Sequence, residues 1–455
     1  MIDKPAPWWH PGFNMLGSHR GRLIAFFFLY MTEGIPHGFA LVALVTQMRR
    51  LNVSPNGVGT FAAVITLPWA FKWVMGPMVD LFYSEKWGRR RLWIVVMQLL
   101  MCVTLLSALP VEMGSQVTRL TWLLVLHNIF AATQDVAIDA LACGTLKEHE
   151  RGTANGLMFA GTVLGSAIGG AGVLYMIGRG LSLNTSYFLI IGSILTITVL
   201  VTMRLREPVQ QKLEGVVEGV RMHELAKALH IYWKEAASAF FGARRAVAGL
   251  IVAMLPIGAY SLSLALCSNL SVELGMSDDL ISKLMIIGSL ITAGFCVLGG
   301  FLSDRFGRRK VLMIAAVGTA IPTLMLVWGM FTQGWIFPVP MDMPDRPQPS
   351  EFLLHLYIGT GFLYGVFQGV IYGTRTALFM DICNPAVAGT QFTAYMAMLN
   401  LVNSYSTKWQ CWIVEKIGYP KTLMMDVALG MVCLLFIPMM TKHEEPEKPP
   451  ELAEV

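Results

Sequence analysis

The chain has 455 residues, 55% of them hydrophobic and only 14% charged. Soluble globular chains carry about a quarter charged residues, which argues against a water-soluble enzyme, and the net charge of +5 reports membrane orientation rather than a nucleic-acid partner. The seven cysteines show no CxxC or metal-ligand spacing, so no metal, cofactor or disulfide framework is expected.

The N-terminal segment 1–22 carries Trp8, Trp9 and Pro11 before the first apolar run, without a cleavable signal pattern, so the first span is expected to stay. Runs of about 20 apolar residues mark membrane spans. Twelve are read, at roughly 23–48, 56–80, 91–110, 119–143, 153–178, 185–203, 246–270, 281–304, 310–331, 353–380, 389–414 and 420–440. The expected fold is all-α: twelve transmembrane helices in two pseudo-symmetric six-helix bundles, 23–203 and 246–440. A charged linker, 204–245, divides them, and its stretch 213–235 reads either as a surface helix or as a solvated connection. Segment 338–350 is a proline-rich outer loop, and the tail 441–455 is rich in Glu and Pro. Basic residues cluster on one side: Arg20 and Arg22, the 86–91 loop, the linker and the 305–310 loop. That bias puts both termini in the cytoplasm.

One stretch and its echo organise the chain. Gly76-Pro-Met-Val-Asp80 runs into a basic loop with Gly88, Arg89, Arg90 and Arg91, and Gly300-Phe-Leu-Ser-Asp304-Arg305 into Gly307, Arg308, Arg309 and Lys310. The two aspartates lie about half a chain apart. Glycine admits a neighbouring helix closely, and an Asp where a helix leaves the bilayer suits a gate. Other echoes are Pro36-His-Gly38 with Pro256-Ile-Gly258 and Arg151-Gly-Thr153 with Ala388-Gly-Thr390. A Pro-x-Gly break removes a helical hydrogen bond, and paired breaks in two halves point to a midplane binding site.

Each ionisable group within a span costs about 2.5–3.5 kcal/mol on insertion scales, so each needs a reason. Asp135 and Asp139 are four residues apart and share one helix face. Asp135 is a proton carrier, a solute contact or a helix-packing partner. Asp139, about one turn from the inner end, is expected to pair with Arg89, Arg90 or Arg91 as a gate. Glu33 and His37 share the same spacing beside Pro36 and suit a shared proton or a bond that satisfies both. Lys72 either snorkels or faces the cavity. Arg375 lies at similar depth in the second half, and together the two cations suit an anionic solute. Gln134, Gln368 and Tyr372 complete the solute-binding candidates. Asp80, Asp304 and Asp381 are gate candidates, with Asp381 expected to meet Arg305 or Arg308.

The repeated stretch resembles motif A of the major facilitator superfamily, G-x-x-x-D-R-x-G-R-R. The second copy follows it well; the first has a longer loop, and Leu81 where the family has Arg. Three blocks resemble the AmpG/acetyl-CoA-transporter branch: Ala70-Phe71-Lys72-Trp73 through Arg91, Ala131-Ala132-Thr133-Gln134-Asp135 through Asp139-Ala140, and Glu150-Arg151-Gly152. The resemblance implies a proton-coupled importer of the bacterial inner membrane that alternates between two bundles. Members of the branch carry muropeptides, siderophores or acyl-coenzyme anions. The best-known muropeptide permeases have two further spans, which the charged linker here does not supply.

The expected function is therefore secondary active transport of a small anionic organic solute with protons, by a monomer in the lipid bilayer, without enzymatic activity. The rival is a transport-inactive sensor or assembly factor of the same fold, against which the charges inside the spans argue. A membrane acyltransferase is a third reading, but no paired His–Asp motif stands in a membrane loop.

Overall fold

The computed structural model describes residues 14–440 apart from 52, 54, 83–86, 208–233, 235–236, 264–269, 340–346 and 385–386. Most of the linker, its expected surface helix, the first residues and the tail lie outside the described residues.

Among the described residues the chain is an all-α membrane protein whose helices fall into twelve segments. The first half holds α1 (His19–Met48), the bent α2 (Thr60–Ala70 and Lys72–Asp80), α3 (Arg91–Ala108), α4 (Val117–Thr145), α5 (Glu148–Gly178) and α6 (Leu183–Leu200). The second half holds α7 (Arg244–Ala253), α8 (Asp278–Phe306), α9 (Arg308–Gln333), α10 (Glu351–Ile382), α11 (Ala388–Ile417) and α12 (Tyr419–Met439). Eight of the described helices are by themselves long and apolar enough to span a bilayer, or nine with the bent pair. The exceptions are informative. Helices α4 and α11 turn polar residues toward the molecular centre, and α7 is interrupted. Lipid is the outer solvent, so large apolar side chains such as Trp122, Phe188, Val199, Ile314 and Trp328 stand exposed.

The echoed Pro-x-Gly pair behaves differently in the two halves. Pro36 stays within helical geometry, and the loosening falls just after it as a π-helical stretch, Phe39–Leu44. In α7 the helix stops at Ala253 and the chain unwinds through Pro256 to Tyr260. Gly258 there takes φ +80°, where a side chain would be strained. Helix α2 also breaks, at Phe71, with a 40° bend. Pro68 one turn earlier lacks the amide that would hold that turn.

The halves meet along two pseudo-symmetric seams: α5 packs on α8 and α10, and α11 on α2 and α4. Along the first seam a Cβ added to Gly156 would stand 2.3 Å from the Cys296 carbonyl oxygen, and one on Gly300 would stand 2.1 Å from that of Gly152. Only small residues allow backbones this close.

Candidate functional site

The break in α2 carries Lys72 out of regular helix and into the protein, where it is buried. Its Nζ pairs with Asp135 Oδ2 and lies 3.7 Å from Asp139 Oδ2. Tyr30 of α1 donates its hydroxyl to Asp139 Oδ1. Glu33, one turn along from Tyr30, is buried, and its Oε1 has no hydrogen-bond partner among the described residues. Three carboxylates and one ammonium thus share a low-dielectric region, which is unfavourable unless the charges compensate one another. The i,i+4 spacing of Asp135 and Asp139 places both toward Lys72.

Across from this cluster stands Arg375 of α10, 6% exposed. It donates from Nη1 to the Tyr260 hydroxyl at 3.0 Å, and its guanidinium lies 4.6 Å from the Tyr372 ring and 5.9 Å from that of Phe159. Those two rings stack face to face at 5.3 Å, joining α5 to α10 across the seam. The cluster and Arg375 line one cavity of about 420 Å³, with His37, Trp69, Asn400 and Asn403 also in its wall. It carries acid and ammonium on one side, guanidinium on the other and aromatic surface between.

Several expectations change. Among the described residues no ion pair joins Asp139 to Arg89, Arg90 or Arg91; it lies with Tyr30 and Lys72. The reason is length: α4 runs to Thr145, so Asp139 sits deeper than its place in the apolar run suggested. Lys72 does not snorkel; it lines the cavity with its ammonium held between Asp135 and Asp139. No hydrogen bond joins Glu33 to His37 among the described residues; the His37 ring meets Trp69 edge-on at 6.5 Å. Gln134 Nε2 donates to Thr32 Oγ1 of α1 at 2.8 Å, and Gln368 Oε1 lies 3.0 Å from the Tyr364 hydroxyl of its own helix. Tyr372 stacks beneath Arg375. Sequence reasoning missed Tyr30, Phe159 and Tyr260. All three are neutral aromatics in apolar runs, and only Tyr30, one turn from Glu33, carried a signal in its spacing.

The basic end of the molecule is closed by the repeated motif. Asp80 pairs with Arg90 and accepts the Thr390 N–H at 3.1 Å. Asp304 pairs with Arg308 at 3.0 Å and accepts the N–H groups of Gly152 and Thr153, both at 2.8 Å. Each aspartate thus caps the first turn of a helix from the opposite half, where amides lack intrahelical partners and the dipole is positive. Arg151 reaches Asp381 at 3.0 Å, and Arg308 also pairs with Asp381. Arg305 is exposed, its guanidinium 5.7 Å from the Phe306 ring. Arg89 donates to the Asp80 carbonyl. Glu150 of the third resembling block is buried against Arg22 at 2.6 Å, which ties α1 to the start of α5.

A two-bundle membrane protein with a polar cavity between its halves is the architecture of a transporter, and solved structures of that kind resemble it. The proton:xylose symporter XylE matches with a TM-score of 0.67 at 16% identity over 93% of this chain and 97% of that one. An outward-facing bacterial homologue of the iron transporter ferroportin matches with a TM-score of 0.65 at 11% identity over 92% and 98%. The Major Facilitator Superfamily model matches residues 23–407, and the chain belongs to that family. Its relatives include AmpG 4 of Rickettsia conorii, 22% identical over 91% of this chain and 95% of that protein. The anhydromuropeptide permease of Escherichia coli K12 is 23% identical over 90% of this chain and 77% of its own length.

Proposed function

We propose that this chain is a proton-coupled importer of an anionic organic solute, working by alternating access between bundles 23–203 and 246–440. The observation that carries the reading is that one cavity between the halves is faced by the Glu33, Lys72, Asp135 and Asp139 cluster on one side and Arg375 on the other. Buried carboxylates beside a lysine exchange protons when their surroundings change, because compensation in low dielectric depends on geometry. Arginine grips a carboxylate through paired hydrogen bonds, which supports an anionic cargo. Asp135 and Glu33 are the leading proton carriers, with Asp139 joined to them through Lys72, and Arg375 holds the solute.

The relatives favour a bacterial inner membrane and the basic residues favour both termini in the cytoplasm, which makes the closed end the cytoplasmic one. The gate on that side consists of Asp80 with Arg89 and Arg90, and Asp304 with Arg308 and Asp381. The relatives make an anhydromuropeptide the first solute to test, with siderophores and acyl-coenzyme anions next.

Uptake of labelled anhydromuropeptide into proteoliposomes, with and without an inward proton gradient, tests the reading. The gradient should accelerate saturable uptake. Flux indifferent to the gradient would remove the coupling, and no uptake of any of the three anions would remove the cargo class.

A further inference from the structure

Asp426 of α12 belongs to no motif and stands outside the cavity wall, yet it is 1% exposed. A buried acid at that depth needs a reason. Its Oδ2 accepts the backbone N–H groups of Tyr260 at 2.7 Å and Ser261 at 2.9 Å, and its Oδ1 accepts from Gln410 Nε2 at 2.8 Å. Tyr260 and Ser261 are the residues at which the unwound stretch of α7 ends.

Unwound backbone within a bilayer must find partners in the protein, because no water is there to supply them. Here three helices do so. The Gly430 carbonyl of α12 accepts the Gly258 N–H at 3.1 Å. Thr319 of α9 accepts the Ala259 N–H at 2.8 Å. Tyr364 of α10 donates to the Ala259 carbonyl at 3.0 Å. Asp426 then takes the next two amides. The segment is thereby fixed residue by residue, and its last aromatic, Tyr260, presents its hydroxyl to Arg375 at 3.0 Å.

We propose that Asp426 is a positioning residue for solute recognition: through the Tyr260 backbone it sets the phenol oxygen that orients the Arg375 guanidinium. The chain of contacts runs from α12 to α7 to α10. Asp426 itself touches neither the cavity nor the solute. The consequence for transport rests on the reading of Arg375 as the anion contact.

The test uses the full-length protein in proteoliposomes, with Asp426→Asn, Tyr260→Phe and the double variant. Losing one hydrogen bond to a charged group corresponds to roughly a tenfold change in an equilibrium, so each single variant should raise the KM for anhydromuropeptide about that much while Vmax stays within about twofold. The double variant should be no worse than the weaker single, because both act through one hydroxyl. A loss of Vmax at unchanged KM, or additive KM changes, would overturn the proposal. A second readout needs no solute: the rate of phenylglyoxal modification of Arg375, followed by mass spectrometry. Release from Tyr260 should speed it severalfold in either single variant, and unchanged rates would overturn the proposal even if the protein carried no anhydromuropeptide. Wild-type protein without uptake but with variant-dependent modification would sink the cargo assignment and leave the positioning intact. Tyr260→Phe removes a single oxygen, so the test survives if Asp426→Asn fails to fold.

Discussion

Asp80 and Thr390 are separated by most of the chain, yet the Asp80 carboxylate accepts the Thr390 N–H at 3.1 Å and its hydroxyl at 3.3 Å. Asp304 and Thr153 repeat the contact at the other seam, with N–H and hydroxyl at 2.8 and 2.9 Å. Each half therefore caps a helix of the other, and the two contacts hold one end of the molecule shut.

The two caps are not equal in what they leave behind. Asp80→Asn strips the carboxylate partner from buried Arg90, whereas Arg308 keeps Asp381 when Asp304 is changed. Breaking a buried pair by removing one partner costs about 3–5 kcal/mol, against about 1 kcal/mol for a helix cap. Asp80→Asn should therefore shift the equilibrium between closed and open ends further than Asp304→Asn. Distance distributions between spin labels placed on the two halves at that end would check this ranking.

Lys72 and Asp135 give a second prediction. Asp135→Asn leaves the more distant Asp139, at 3.7 Å, as the ion-pair partner of Lys72 and should lower thermal stability while abolishing proton-driven uptake. Lys72→Met alone should be worse for stability, since it leaves Asp135 and Asp139 without their ammonium. The combined variant should recover much of that stability, because replacing both members of a buried pair is far less costly than removing one. It should not recover coupling. Thermal unfolding and gradient-driven uptake on the same preparations separate the two effects.

Arg375 should not tolerate lysine. An ammonium keeps the charge but loses the planar fork and the stacking over Tyr372, so Arg375→Lys should raise the KM for an anionic solute about tenfold or more. Arg375→Gln should abolish uptake of the anion while leaving the protein in the membrane. Initial-rate kinetics in proteoliposomes decide it; a KM unchanged in Arg375→Lys would move the solute contact elsewhere.

A fourth prediction comes from the α5–α8 seam. Gly156→Ala would press a methyl against the Cys296 backbone in the opposite half and should wedge the seam open without unfolding either half. Gly161→Ala presses within one half instead, 2.3 Å from the Phe27 carbonyl oxygen, and should reduce overall stability. Spin-label distances between halves should lengthen for Gly156→Ala, and the melting temperature should fall mainly for Gly161→Ala.

The sequence made the spans legible because lipid demands long apolar runs, and the repeated Gly–Asp–Arg stretch exposed the two halves. The i,i+4 pair Asp135 and Asp139 correctly pointed to one shared face. What pairs with that face was hidden, because Lys72 and Tyr30 reach it from other helices and neither spacing nor composition reports an inter-helix contact. Asp139 was misread for a local reason: Gly144 and Thr145 ended the apolar run before the helix itself ended. Asp426 was missed altogether. Its purpose lies in a stretch of α7 whose unwinding Pro256 and Gly258 announced, but whose partners they did not name.

The acidic cluster belongs wholly to α1, α2 and α4, and Arg375 to α10. In the cavity wall the echo between the halves does not extend to charge: one side holds carboxylates with their ammonium, the other the Arg375 guanidinium. Any tilt of one bundle against the other alters the gap between these unlike poles. In the proposed importer, cargo held on one bank would be sensed on the opposite bank through this field, without any contact passing between them.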